Sequence, residues 1–342
     1  MSRSHIFVTR RIPGPGLEIL QASEARITIC QEEEEQGVSR QELLEGVKSC
    51  DVLLSLLTES VDREVLAHEN LLGVANMAVG FNNIDIEAAT ELGVPVSNTP
   101  GVLTDTTADL TWALLLAAAR RLPEAHNYMV AGRYKIWGPN LFLGGDVSPG
   151  GSGRRKILGI VGYGRIGEAV AKRALGFEME VLAFDPYARD AVDTSDYARW
   201  SELPDLLAQS DFVSLHPLLT EKTHHLIGEA ELRAMKPTAY LINASRGPVV
   251  DEQALVRALR EEWIGGAALD VYEAEPVMAE GLAELSNVVL LPHIASASRD
   301  TRGKMATMAA TNALAHLRHT RAPDVLNPEV YDTDAYRRRT GG

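Results

Sequence analysis

The sequence predicts two doubly wound, parallel-sheet α/β units of the Rossmann and flavodoxin-like kind, and three observations carry that reading. Short apolar runs alternate with helical patterns through the first hundred residues. A long helical stretch and an irregular segment interrupt the alternation, which then restarts more strongly. The second run opens on a glycine-rich turn between an apolar strand and a helix. A chain of 342 residues has room for two domains at the usual ~100–200 residues each.

In chain order, the first alternation predicts strands at 5–9, 26–30, 51–55, 71–77 and 95–97. Helices fall between them at 17–22, 40–47, 62–67 and 85–92. Pro13-Gly14-Pro15-Gly16 punctuates the first link, and Glu32–Glu35 reads as a solvated acidic loop. A single long helix is expected over 105–131, capped by Thr104, with Arg120-Arg121 ending its apolar part. The stretch 132–153 holds Trp137, Pro139, Gly144-Gly145 and Ser148-Pro149-Gly150-Gly151, and loops of that length are functional or linkers. The second alternation predicts strands at 156–161, 180–184, 211–215, 239–243, 266–270 and 288–290. Its helices are placed at 165–175, 201–208, 229–234, 251–261 and 298–317.

Composition narrows the function classes. With 45% hydrophobic and 23% charged residues, the chain has enough apolar surface to offset the entropy of ordering. The 33 basic against 47 acidic residues, a net charge of −14, argue against nucleic-acid and anionic-membrane surfaces, which reward clustered Lys and Arg. Cys30 and Cys50 are too few for a disulfide framework and read as idle thiols. The N-terminus lacks a signal-like apolar core, and the apolar run 110–119 is too short to span a bilayer. A cytoplasmic protein is the resulting expectation.

The stretch Gly162-Tyr163-Gly164-Arg165-Ile166-Gly167 is a G-x-G-x-x-G that follows an apolar strand and opens a helix. Gly162 permits the tight turn, Gly164 lets backbone approach a pyrophosphate, and Gly167 lets helix and strand pack closely. The N–H groups of the following helical turn, with Arg165 and Ile166, then face phosphate. Asp185 ends the next strand, 18 residues after Gly167. An acid there accepts from both ribose hydroxyls and repels a 2′-phosphate, which favours NAD while leaving NADP open, since Arg189 lies nearby in sequence.

Three later strand ends carry polar groups, and ligands sit at the carboxyl ends of strands in open α/β sheets. Asn243-Ala244-Ser245-Arg246 follows one strand, Asp270 to Glu275 another, and Pro292-His293 a third. Reducing a 2-oxo acid requires a guanidinium on the carboxylate and carbonyl, which suits Arg246. It requires a proton donor titrating near neutrality, which suits His293. It also requires a carboxylate to orient that histidine, which suits Glu275. Each alone has a bland structural reading; their joint placement on one dinucleotide fold does not.

The stretches 78–85, 162–167, 243–251, 268–276 and 292–297 together resemble the D-isomer-specific 2-hydroxyacid dehydrogenases, over nearly the whole chain. The resemblance implies His293 as acid/base, Glu275 as its partner and Arg246 as the substrate clamp. It implies Asp270 and the Ala244 backbone beside a nicotinamide, with His216 and Thr223 on the adenosine side. Pro217 departs from the family pattern by following His216 directly. The resemblance further implies a discontinuous substrate domain, residues 1–103 plus 294–342, with the dinucleotide domain and its dimerisation helix inserted at 104–293. Leu56, Val79 and Gly80 would then border the substrate, and Trp137 would close the pocket from the partner of a homodimer or anchor the dimer interface.

The segment 54–59 has no Arg or Lys, which disfavours a phosphorylated substrate because a dianion needs charge-assisted donors. The stretches 78–85 and 9–13 are similar to glyoxylate and hydroxypyruvate reductases. Two alternatives remain at this point: a dehydrogenase for another short-chain acid, such as D-lactate, and a non-catalytic NAD-sensing corepressor-like protein. No metal site is expected, since His224 and His225 should point apart with no carboxylate beside them. Glu273 reads as a solvated neighbour of Glu275, and Arg337-Arg338-Arg339 as a disordered tail.

Overall fold

The computed structural model describes residues 4–33 and 35–341; residues 1–3 of the N-terminus and Glu34 of the acidic loop lie outside them. The chain divides into two compact units, one of residues 1–103 and 297–342, the other of residues 104–296.

The first unit begins with β1 (His5–Arg10), α1 (Gly14–Gln21), β2 (Arg26–Gln31), α2 (Arg40–Lys48), β3 (Val52–Ser55), α3 (Arg63–Leu66), β4 (Gly73–Asn76), α4 (Ile86–Glu91) and β5 (Val96–Ser97). The strands form a parallel sheet in the order β2-β1-β3-β4-β5. Local chemistry starts the helices. Ser39 and Glu42 form a capping box on α2, and the carboxylates of Asp62 and Asp85 accept the first-turn N–H groups of α3 and α4. The expected Pro-Gly link is instead the first turn of α1, where Pro15 removes no needed donor.

The second unit opens with α5 (Thr104–Ala119) and α6 (Leu122–Val130). These replace the single long helix expected: Arg121 adopts a left-handed conformation, φ 52°, and breaks it. The sheet follows as β6 (Ile157–Val161), α7 (Arg165–Ala174), β7 (Glu180–Phe184), α8 (Arg189–Asp193), β8 (Arg199–Trp200), α9 (Leu203–Gln209), β9 (Phe212–Leu215), α10 (Glu229–Ala234), β10 (Tyr240–Asn243), α11 (Glu252–Arg260), β11 (Gly266–Leu269) and β12 (Val288–Leu290). Its strand order is β12-β11-β10-β9-β6-β7-β8, again parallel. The order reverses beside β6, so the glycine turn after β6 sits at the topological switch point. Strands such as β6, β9 and β11 are almost wholly buried, as expected for a sheet covered on both faces.

The chain then returns to the first unit with α12 (Arg299–Leu317), capped by Ser298, and α13 (Asp334–Thr340). The Ala-rich face of α12 (Ala306, Ala309, Ala310, Ala313) packs with Ile6, Val8, Leu17 and Leu20. The C-terminal arginines are not disordered. Arg339 caps carbonyls of Leu92 at 3.0 Å, His68 at 2.6 Å and Leu71 at 2.8 Å, anchoring α13.

Candidate active site

The glycine turn is shaped by close approach. Gly162 has φ 92°, and a Cβ there would fall 2.6 Å from the His216 carbonyl carbon and the Pro217 nitrogen. A Cβ on Gly167 would meet the Gly162 carbonyl oxygen at 2.2 Å, whereas one on Gly164 would point into open space. Among the described residues no side chain caps α7, and no side-chain acceptor is seen there for the first-turn N–H groups at Arg165, Ile166 and Gly167. Asp185, immediately after β7, accepts from Tyr163 N–H and Tyr187 N–H, both at 2.9 Å. It is therefore held against the glycine turn. An open cradle at a ten-residue helix N-terminus, with an acid fixed at its rim, fits a dinucleotide.

Beyond β9, His216 hydrogen-bonds to Ser214 Oγ at 2.8 Å. Burial lowers its pKa from 6.5 to about 3, so the ring is neutral at pH 7. The Thr223 hydroxyl donates to Leu218 O at 2.6 Å and accepts from Thr220 N–H at 2.8 Å, closing the loop that follows Pro217.

The polar residues of the next three strand ends are brought together. After β10, Asn243 clamps the turn: its Nδ2 donates to Arg246 O at 2.9 Å and its Oδ1 accepts from Ser245 N–H at 3.0 Å. This presents the buried Ala244 and half-buried Arg246, whose Nη1 donates to Ser245 O at 2.7 Å. Gly247 is required here, because a Cβ would lie 1.8 Å from Tyr272 O. The Arg246 turn thus packs backbone to backbone on the segment that carries Glu275.

Asp270 directly follows β11 and is fully buried, and its two oxygens accept from Ile294 and Ala295 N–H groups at 2.7 Å each. Burial is the main cause of its raised pKa. Asp270 thereby shapes the His293 loop, where His293 sits at φ 52°. Glu275 Oε2 meets His293 Nδ1 at 2.9 Å, and Glu275 Oε1 accepts from Tyr272 N–H at 3.0 Å. Burial pushes the Glu275 carboxyl upward, but the bond and charge of His293, Tyr272 N–H and Arg246 outweigh it and hold it below the ordinary glutamate range. The Arg246 guanidinium is lowered by burial, against the opposing pull of Glu275. With Nδ1 on Glu275, Nε2 is the His293 atom suited to deliver a proton.

In the other unit, the loop after β3 is held by Glu59, which is 4% exposed. Its Oε2 accepts from Leu56 N–H at 2.7 Å and Thr9 Oγ1 at 2.8 Å. Asn83 Nδ2 donates to the carbonyls of Leu56 at 3.1 Å and Glu59 at 2.9 Å. After β4, Asn98 and Asn76 pin the carbonyls of Val79 and Gly80 at 2.8 and 3.2 Å. Trp137 is 71% exposed, and Val130, Ile136 and Leu143 are exposed as well.

Sequence reasoning missed the residues that hold these loops: Asn243, Glu59, Asn83 and Asn98. It also misjudged a neighbouring cluster. His224 and His225 do not point apart. Their ring centroids lie 4.0 Å apart, with His225 at φ 50°, because they sit in a loop. Glu273 is no idle neighbour, since its Oε1 meets His225 Nε2 at 2.7 Å.

The chain matches the D-isomer specific 2-hydroxyacid dehydrogenase, NAD binding domain, over residues 112–295. This chain belongs to that family. Its relatives include a glyoxylate reductase of Korarchaeum cryptofilum, 49% identical across 96% of this chain and 97% of that protein. Among solved structures, a Thermus thermophilus protein superposes with a TM-score of 0.86 at 41% identity, covering 94% of this chain and 99% of that one. A Paecilomyes thermophila glyoxylate reductase gives 0.79 at 30% identity, covering 96% and 99%. Membership makes the chain an NAD(P)-dependent dehydrogenase and gives the strand-end constellation its chemical context. No helix among the described residues is long and apolar enough to cross a membrane.

Proposed function

We propose that this chain reduces glyoxylate to the achiral glycolate and hydroxypyruvate to its D-2-hydroxy acid, with NADH preferred over NADPH. The observation that carries the mechanism is the His293–Glu275 couple beside Arg246, all on strand-end loops of one sheet. When bound, the reduced nicotinamide supplies hydride to the keto carbon. Arg246 pairs with the substrate carboxylate and polarises the carbonyl. His293 protonates the oxygen from Nε2 while Glu275 fixes the ring through Nδ1. Asp185, fixed by two N–H groups, supports NADH, because a 2′-phosphate would meet its carboxylate.

Two things support a small unphosphorylated acid. The segment 54–59 has no basic residue, and no intrachain acceptor for the N–H of Val79 or Gly80 occurs among the described hydrogen bonds. Those N–H groups are assigned to substrate recognition in this reading. We assign residues 1–103 with the returning C-terminal segment to the substrate, and the inserted unit to the dinucleotide. The exposed Val130, Ile136, Trp137 and Leu143 are assigned to the interface with a second copy of the chain.

Initial rates of NADH and NADPH oxidation with glyoxylate, hydroxypyruvate and pyruvate test this. Higher kcat/KM for the first two acids and for NADH is expected. A preference for pyruvate would move the enzyme to the D-lactate type. No oxidation with any of the three, alongside NADH-dependent partner binding, would point to a sensor.

A further inference from the structure

Glu252 is the first residue of α11, after its N-cap Asp251, and no step of the reaction uses it. An acid in a helix first turn is ordinarily solvated and serves the helix dipole. Glu252 is instead 4% exposed. Its Oε1 accepts from Glu273 N–H at 2.7 Å and its Oε2 from Ala279 N–H at 2.8 Å. The two bonds grip both ends of the segment 273–279, which carries Glu275. The grip is reciprocal, since Glu252 N–H donates to Glu273 Oε2 at 3.2 Å. The other Glu273 oxygen is on His225, so the near end of the segment is also tied to the loop before α10.

The placement is electrostatically unfavourable. Burial first, and then the charges of Glu273 and Glu275, push the Glu252 carboxyl above the ordinary glutamate value. The two N–H bonds work the other way. A side chain serving packing alone would be better apolar at such a site. What the carboxyl adds is a rigid, two-point acceptor for loop backbone, which no apolar residue supplies.

We propose that Glu252 is a positioning residue for the acid–base couple, holding segment 273–279 so that Glu275 meets His293 Nδ1. This rests on the reading of Glu275 and His293 as that couple. The test is a double-mutant cycle on the full-length enzyme, using Glu252→Ala and Glu275→Gln, with kcat for glyoxylate and Kd for NADH as readouts. Glu252→Ala should lower kcat about 10–100-fold, the effect of a misplaced catalytic group, with the NADH Kd within about 2-fold of the parent. In the Glu275→Gln background the same change should lower kcat by less than about 2-fold, because the residue it acts through is already disabled.

Glu252→Gln retains one carbonyl acceptor and should fall between the parent and Glu252→Ala, which keeps the test available if Glu252→Ala does not fold. Independent, additive losses of kcat would reduce Glu252 to a stabilising residue and overturn the proposal. So would a kcat within about 2-fold of the parent in Glu252→Gln and Glu252→Ala alike. An unaltered kcat in Glu275→Gln alone would instead show that the acid–base reading itself is wrong.

Discussion

The two units share one architecture, and in the proposed reading they divide the chemistry between them. At the strand ends of the seven-stranded sheet, the chain presents ionisable groups: Asp185, Arg246, Glu275 and His293. At the strand ends of the five-stranded sheet it presents backbone at Leu56, Val79 and Gly80, with side chains such as Glu59, Asn83 and Asn98 spent on holding that backbone. The same fold thus carries ionisable side chains at the strand ends of one sheet and side-chain-braced backbone at those of the other. Polar residues on the second surface are structural, although their composition alone would suggest otherwise.

The contrast predicts two kinds of kinetic failure. Arg246→Ala should lower kcat/KM for glyoxylate by about three orders of magnitude, in kcat and KM together, because a charge-assisted clamp acts in both ground and transition states. Glu59→Ala in the other unit should act mainly on KM, raising it about 10-fold with kcat within about 3-fold, as the Leu56 loop loses its anchor. Equal loss of kcat in the two variants would erase the division.

The histidines sharpen the comparison through pH. His316 on α12 bonds to Ser97 Oγ at 3.0 Å and His216 bonds to Ser214 Oγ at 2.8 Å. Burial takes them from 6.5 to about 4 and about 3 respectively. Both rings are depressed bases. Below about 6.5 the unfolded chain takes up protons that the folded chain refuses, so stability is full above that pH and falls as the pH drops toward 4. The limiting slope is ~1.4 kcal/mol per pH unit for each ring. Urea unfolding at pH 7 and pH 5 should show the loss, and His316→Asn should flatten it. A stability independent of pH over that interval would mean that the rings are not excluded from water.

Much of this was legible in the sequence, for a physical reason. Continuous apolar runs mark strands buried on both faces, and their ends mark where ligands sit, so Gly162, Asp185, Arg246, Glu275 and His293 could be placed from spacing and residue chemistry. Some supporting residues were not legible because their partners lie far away in sequence, and others, such as Asn243, because they act within a loop that has no repeating pattern. Glu59 serves Thr9, and Arg339 caps carbonyls near residues 68–92. In a linear reading both are ordinary surface charges. The left-handed Arg121 that splits α5 from α6 carries no glycine to announce it, and Pro15 lies within the first turn of α1, where proline is compatible with a helix. Loop geometry also escaped: adjacent histidines diverge only in regular structure, and His225 at φ 50° is not in it.

The most direct test of the central claim is single-turnover oxidation of bound NADH by glyoxylate in His293→Ala, with NADH affinity measured on the same protein. The rate should fall by about 10²–10⁴-fold, the usual worth of a positioned acid–base group, while NADH affinity is retained, since Gly162, Gly164 and Asp185 are untouched. Turnover at the parent rate would contradict the assignment of the proton to His293, and with it the division of chemistry between the two sheets.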